Sequence, residues 1–571
     1  MNKPRLTRFL LVLAAAALSA TTLSWPDSAH SASAAPPGGT SQASVDDDPT
    51  GARVIVKYKA QASVMRSAAT AGSSTKGPQH AALLGGRTGM SLSDGRIVDR
   101  RSQVVRGAPG TSSAALAARL AADPDVEYAV PDRRRHALAV PNDPLFAASP
   151  IISPAAGQWY LRAPDATFVS AINAVGAWDI SSGSATVVVA DIDTGVRFDH
   201  PDLASKLHPG YDFITDPTSA ADGDGTDADA TDPGDWTNAG DCGFGSHASA
   251  SSWHGTQTAG LIGAQTGNAL GMASVGHDVM ILPVRVLGKC GGLDSDIIAG
   301  MLWAGGVSSL PVVNAHPARV INMSLGGSGT CSQAYQDAIT QLTAAGVVIV
   351  ASAGNDEGLA VSTPANCPGV IAVAGLRNVG TKVGFSSIGT EVALAAPGGN
   401  CINIGANDPC LYPILSTTNS GTQSPLAPSY TDSFDFAVGT SFSAPLVAGT
   451  AALMISANPA LAPAQVKTML QDTARAFPIT SADPAVLQCR APDGVIQDEC
   501  LCTSSTCGAG MLDAAGAVAA AAGRTPTPTP TPTPAPVTDS GGGGGTMQVG
   551  WLAGLALAVL VLAWRRRRAR G

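Results

Sequence analysis

An aspartate, a histidine and a serine lie in three short stretches that could together activate a nucleophile. The stretches are Asp191-Ile-Asp193-Thr-Gly195, His254-Gly-Thr-Gln-Thr-Ala-Gly260 and Gly439-Thr-Ser441-Phe-Ser-Ala-Pro445. A serine hydroxyl is a poor nucleophile at neutral pH. It needs an imidazole to take its proton, and a buried carboxylate to fix the imidazole's tautomer and stabilise its cation. Asp193 would supply the carboxylate, His254 the base and Ser441 the nucleophile. Taken singly, each has a plainer reading: a strand-end turn residue, a satisfied core histidine and a helix N-cap. The chemical reading rests on all three occurring in this order.

Local elements must aim these side chains. Val187-Val-Val-Ala190 is an apolar run that reads as a buried strand ending at Asp193. His254 and Ser441 each open a small-residue helical stretch, so both are expected at helix N-termini. Strand-like runs at 187–191, 279–286, 319–323, 346–352, 369–374 and 391–396 alternate with helical stretches at 256–264, 294–304, 332–345, 443–457 and 463–474. That alternation predicts a parallel sheet with helices on both faces. Its site is expected beyond the C-terminal ends of the strands.

The three stretches and their Asp, His, Ser order resemble those of the subtilases, the subtilisin-like serine proteases, over roughly residues 140–520. α/β-Hydrolases run Ser, acid, His, and their Gly-x-Ser-x-Gly elbow is absent around Ser441. The resemblance implies an α/β, subtilisin-like parallel sheet preceded by a small α+β propeptide domain. It implies a serine endopeptidase that works through an acyl-enzyme on protein or peptide substrates, as a monomer. It assigns oxyanion stabilisation to Asn355, in Ala351-Ser-Ala-Gly-Asn355. It assigns the primary specificity pocket to Ser324, Leu325 and Gly326 and to Ala353 and Gly354, with Ser362 at its bottom and a cis bond before Pro364.

Charge is unevenly spread. Residues 51–139 hold 14 Lys/Arg against 6 Asp/Glu, a net of +8, whereas residues 140–520 hold 11 against 32, a net of −21. Opposite signs suggest two segments that bind each other, and they argue against a nucleic-acid ligand for the acidic one. Residues 1–34 read as an export signal and 35–50 as a spacer. Residues 51–139 resemble the inhibitory propeptide of subtilases, an intramolecular inhibitor of the region 140–520. Residues 521–546 form a Thr-Pro and glycine linker. Residues 547–571 carry an 18-residue apolar run, Met547 to Trp564, closed by Arg565–Arg568. This end resembles the Gly-Gly C-terminal sorting tail of some secreted bacterial proteins, which is cleaved off. A permanent anchor is the alternative. Membrane contact is expected only through this tail.

All ten cysteines fall between residues 242 and 507. In an exported chain an even number suggests disulfides. The expected pairs are Cys242–Cys290, Cys331–Cys367 and Cys401–Cys410. Cys489, Cys500, Cys502 and Cys507 allow three pairings, and a zinc site is a weaker alternative. A structural calcium is the expected cofactor. Aspartates 216, 222, 224, 227, 229, 232 and 235 crowd one loop, and clustered carboxylates repel unless a hard cation neutralises them. The candidate ligands are Asp222, Asp224, Asp227 and Asp229, with Asp202 of His200-Pro-Asp-Leu203 matching a family calcium ligand. A solvated acidic loop is the alternative.

Overall fold

The strand that ends at Asp193 lies inside a parallel sheet of seven strands. The structure, a computed structural model, describes residues 52–63, 80–108, 112–132, 140–148, 156–399, 412–431 and 438–526. The expected signal, spacer and C-terminal tail, most of the linker and the Cys401–Cys410 pair lie outside the described residues. The chain divides into two units between Arg134 and Arg135.

In the first unit, strands β1 (Arg53–Tyr58), β2 (Leu92–Ile97), β3 (Ser102–Gly107) and β4 (Val126–Pro131) form an antiparallel sheet in the order β2-β3-β1-β4. Helices α1 (His80–Thr88) and α2 (Ser113–Ala121) pack on it. The period-2 pattern of β1 sends Val54, Val56 and Tyr58 inward, where they meet Leu84, Leu116 and Leu120. Ser112 caps α2 by accepting from the Ala115 N–H. This is the two-helix α+β unit expected from the sequence.

The second unit is a subtilisin-like α/β fold. Its strands are β5 (Val188–Asp193), β6 (Tyr211–Asp212), β7 (Met280–Arg285), β8 (Val320–Met323), β9 (Val348–Ser352), β10 (Ile371–Leu376) and β11 (Val392–Pro397), in the order β11-β10-β9-β8-β5-β7-β6. Every pairing is parallel. A sheet buried on both faces needs continuous apolar strands rather than alternating ones. All six residues of β5 are buried accordingly.

Helices α3 (His254–Gly263), α6 (Thr440–Ala457), α7 (Pro463–Asp472) and α8 (Ala514–Ala521) share one apolar core with one sheet face. Helices α4 (Asp294–Ala304) and α5 (Gln333–Ala344) cover the other. Helix α6 is apolar all round, as a fully buried helix must be. It is long enough to cross a membrane, yet 83% of it is buried in the protein, so it is a core helix. A hairpin of β12 (Ser416–Asn419) and β13 (Pro428–Thr431) lies against α3.

Disulfides Cys242–Cys290 and Cys331–Cys367 form as expected. The open choice resolves as Cys489–Cys500 and Cys502–Cys507. The sulfurs of Cys489, Cys502 and Cys507 lie within 4.8 Å of one another, but each is spent in a disulfide and offers no thiolate to zinc.

Candidate active site

The end of one strand and two helix N-termini carry the three motifs. Asp193 ends β5 and is 1% exposed. Trp253, left-handed at φ 52°, turns the chain so that His254 opens α3. The His254 Nδ1–H group lies 2.8 and 2.9 Å from the two carboxylate oxygens of Asp193. The Asp193 Oδ1 also accepts from the Thr194 N–H at 2.7 Å. Ser441 is the second residue of α6.

Burial alone would lower the pKa of the His254 imidazole. The charge and hydrogen bond of Asp193, and then the charges of Asp191 and Asp235, outweigh burial and raise it to about 9. Asp235 also fixes the approach to His254. Its carboxylate accepts from the Ser252 N–H at 2.6 Å and the Ser252 hydroxyl at 2.7 Å, two residues before the imidazole. Asp232, beneath Thr194, accepts from the Thr194 hydroxyl at 2.8 Å. Its burial, and then the charge of Asp235, push its pKa up to about 7.

His254, Ser441 and Asn355 line one cleft of about 940 Å³, with Ser324, Leu325, Gly326 and Gly354 on its wall. The Ser441 hydroxyl donates to the Ser324 carbonyl at 3.3 Å. The Asn355 side chain is oriented from behind: its Oδ1 accepts from the Thr440 N–H at 3.0 Å and the Thr440 hydroxyl at 2.9 Å. That leaves the Asn355 Nδ2 on the side of the Gly439 and Ser441 backbone, each of Nδ2 and the Ser441 N lying 3.7 Å from where a Gly439 Cβ would stand. Two N–H donors beside a serine can stabilise an oxyanion.

The expected pocket residues divide. A side chain at Gly354 would strike the Ser362 and Ser387 hydroxyls at 2.3 and 2.9 Å, and one at Gly326 would meet Ser362 at 3.1 Å. Ser362 therefore lies between the two glycines, and Asp356 accepts from its hydroxyl at 3.1 Å. The bond before Pro364 is cis. One expectation needs correction. Ala353 is fully buried and its backbone pairs with Val373 and Ser362, so it does not face the cleft. Ser324 lines the cleft, and its hydroxyl donates to the Ser441 carbonyl at 2.7 Å.

The candidate calcium ligands differ in their surroundings. Asp202 is buried and ringed by donors: the Asn268 amide at 2.9 Å, the Met272 N–H at 3.0 Å and the Tyr430 hydroxyl at 2.7 Å. Three donors converging on one carboxylate do not suit a cation. Asp222 pairs with the buried guanidinium of Arg285, which also binds Asp212, the Ala220 carbonyl and the Thr194 carbonyl. A fixed cation already fills the role foreseen for a metal there. Asp227 and Asp229 each accept from a backbone N–H two residues on. Asp224 is exposed, and the charge of Asp227, its strongest influence, raises its pKa. Among the expected ligands Asp224 and Asp229, both exposed, and the half-buried Asp227 pair with no cationic side chain among the described residues and are the carboxylates that a hard cation would stabilise.

Known proteins resemble the chain in this same region. The subtilase family matches residues 184–505, more than half of the chain, and the chain belongs to that family. An extracellular protease of Xanthomonas campestris is 44% identical over 385 residues, which cover 65% of this chain and 61% of that protein. An extracellular basic protease of Dichelobacter nodosus is 39% identical over 369 residues, covering 63% of this chain and 56% of that one. The matched region thus spans about three fifths of the length of these relatives. A solved protease structure from Pseudoalteromonas arctica is 42% identical, with a TM-score of 0.57, over 67% of this chain and all of that one.

Several residues that shape the site were not given a role from the sequence: Asp191, Arg285, Asn322 and Asp356, while Asp235 was read only as part of the acidic loop. Asp191 had a legible signal. It lies two residues before Asp193 on a strand, and Thr258 lies four after His254 on a helix, so the two pairs must share a face.

Proposed function

We propose that the chain is a secreted serine endopeptidase that cleaves peptide bonds through an acyl-enzyme. The observation that carries this reading is the His254 imidazole bonded through Nδ1 to Asp193, in one cleft with Ser441 and an Asn355 amide oriented beside the Ser441 N–H. In this reading Asp193 holds the imidazole with its Nε2 free to take a proton. The Ser441 hydroxyl leaves the Ser324 carbonyl, gives its proton to His254 and attacks the scissile carbonyl. Asn355 Nδ2 and the Ser441 N–H receive the oxyanion. His254 then returns the proton to the leaving amine, and water repeats the sequence on the ester. Secretion is supported by the extracellular naming of the relatives.

Residues 51–139 are assigned as an inhibitory propeptide, and cleavage near residue 140 as self-processing. The charges of +8 and −21 on the two segments support attraction between them. Ser441→Ala should abolish hydrolysis of casein and cleavage near residue 140 together. Normal processing of the purified variant, free of other proteases, would exclude self-cleavage. Asp224, Asp227 and Asp229 are the residues that would hold a calcium ion, and its role would be to neutralise the loop rather than to enter the chemistry.

A further inference from the structure

A second buried acid lies one step beneath the Asp193–His254 pair. Side chains alternate along a strand, so Asp191 and Asp193 leave β5 on the same face. Along α3, His254 and Thr258 are one turn apart and also share a face. The two elements run in register. His254 meets Asp193, and one turn deeper the Thr258 hydroxyl donates to Asp191 Oδ2 at 2.7 Å. On the neighbouring strand β8, Asn322 stands opposite Asp191 in the ladder, and its Nδ2 donates to Asp191 Oδ1 at 2.9 Å. The same Nδ2 donates to the Ser324 hydroxyl at 3.0 Å, and that hydroxyl donates to the Ser441 carbonyl at 2.7 Å. The Asn322 Oδ1 is buried without a partner, so only the bonds from Nδ2 set the amide's orientation.

We propose that Asp191 is a positioning residue of the candidate triad, its carboxyl group joining the strand of Asp193, the helix of His254 and the strand that anchors the Ser441 backbone. This rests on the proteolytic reading above. Packing does not call for an acid here. Asp191 is 1% exposed, and the strand register sets it beside buried apolar positions, Val189 and Val320 two residues earlier and Val350 opposite Asn322, where an apolar residue would meet the same burial. Burial, and then the charge of Asp193, push its pKa up to about 8. The titratable groups around it are Asp193 on its own strand and His254 on α3. Asp235 acts on the same imidazole. Arg285 on β7 is committed to Thr194, Asp212 and Asp222, and α6 contributes no titratable side chain.

The test compares wild type, Asp191→Asn and Asp191→Val on a chromogenic peptide from about pH 5 to about pH 11, with thermal melts. Asp191→Val breaks the joint and should lower kcat about 10- to 100-fold with KM nearly unchanged. Asp191→Asn can keep the Asn322 and Thr258 contacts and should retain most of kcat. Its acid limb in kcat/KM should move to lower pH, because a negative charge beside the imidazole is gone. Its stability has a definite sign. A folded pKa raised from 3.8 to about 8 makes folding take up a proton between those values, so the acid handicaps the fold above the unfolded pKa and not below it. Asp191→Asn should therefore melt higher than wild type at neutral pH, with the gain vanishing near about pH 4.

A valine variant with wild-type kcat, together with an asparagine variant whose pH profile superimposes on wild type, would overturn the proposal. If the valine variant does not fold, the acid limb of Asp191→Asn decides alone. A wild-type chain that cleaves nothing sinks the proteolytic reading and this proposal with it. Cleavage by wild type that both variants match sinks only the proposal.

Discussion

The aspartates of β5 and those of the loop 216–235 are the same chemical group put to opposite uses. Asp191 and Asp193 are buried on one face of β5, Asp193 bonded to an imidazole and Asp191 to the threonine one turn deeper. In the loop, Asp222 is answered by Arg285, and Asp227 and Asp229 by their own backbone. Where an acid is buried beside another acid, its proton affinity rises and it becomes part of the site's titration. Where it is exposed or paired, it serves the fold. Proximity in sequence therefore says little about a carboxylate's use. The direction of its nearest donors says most of it.

The largest effect should come from the buried set. Asp193→Asn should lower kcat about 10⁴-fold, the scale seen when the orienting acid of such a triad loses its charge. Its melting temperature should change little. Asp222→Asn, from the loop, should leave kcat near wild type. Equal losses of kcat in the two variants would erase the contrast.

Arg285→Met tests the loop side. Arg285 is 1% exposed and is the shared partner of Asp212 and Asp222. Asp212 is itself fully buried, and burial raises its pKa to about 7 against the pull of Arg285. Removing one partner of a buried pair strands the other charge, so the variant should lose about 3–5 kcal/mol in urea unfolding. A loss under about 1 kcal/mol would mean that the guanidinium is not the cation that holds this loop.

Chelation should give the smallest change. If Asp224, Asp227 and Asp229 hold calcium, excess chelator should lower the melting temperature by a few degrees, because a ligand bound only to the folded state stabilises by mass action. Asp202→Asn should not abolish that response. An unchanged melting temperature would return the loop to a solvated acidic segment.

Much of this was legible in the sequence, for physical reasons. The apolar run before Asp193 could only be a buried strand, and the α/β alternation followed from it. Small residues after His254 and Ser441 marked helices that pack closely on the sheet. The glycines at 326 and 354 foretold a slot, which Ser362 closes. What escaped depended on register and on distant partners. The Asp191 joint exists only because β5, α3 and β8 align as they do. Arg285 meets Asp222 and Asp212 across 63 and 73 residues of chain. Asp202 was misjudged because a carboxylate ringed by N–H and O–H donors has the same sequence signature as one ringed around a cation. Ala353 sat in the right segment, but only its burial and backbone hydrogen bonds reveal that it faces inward.

In the proposed reading Asp193 and His254 make Ser441 a nucleophile. The direct measurement is to treat the purified protein with a serine-directed phosphonylating reagent and map the adduct by mass spectrometry. A single label is expected on Ser441, lost in a folded His254→Ala variant. A folded wild-type protein that takes no label, or takes it on another serine, would contradict it.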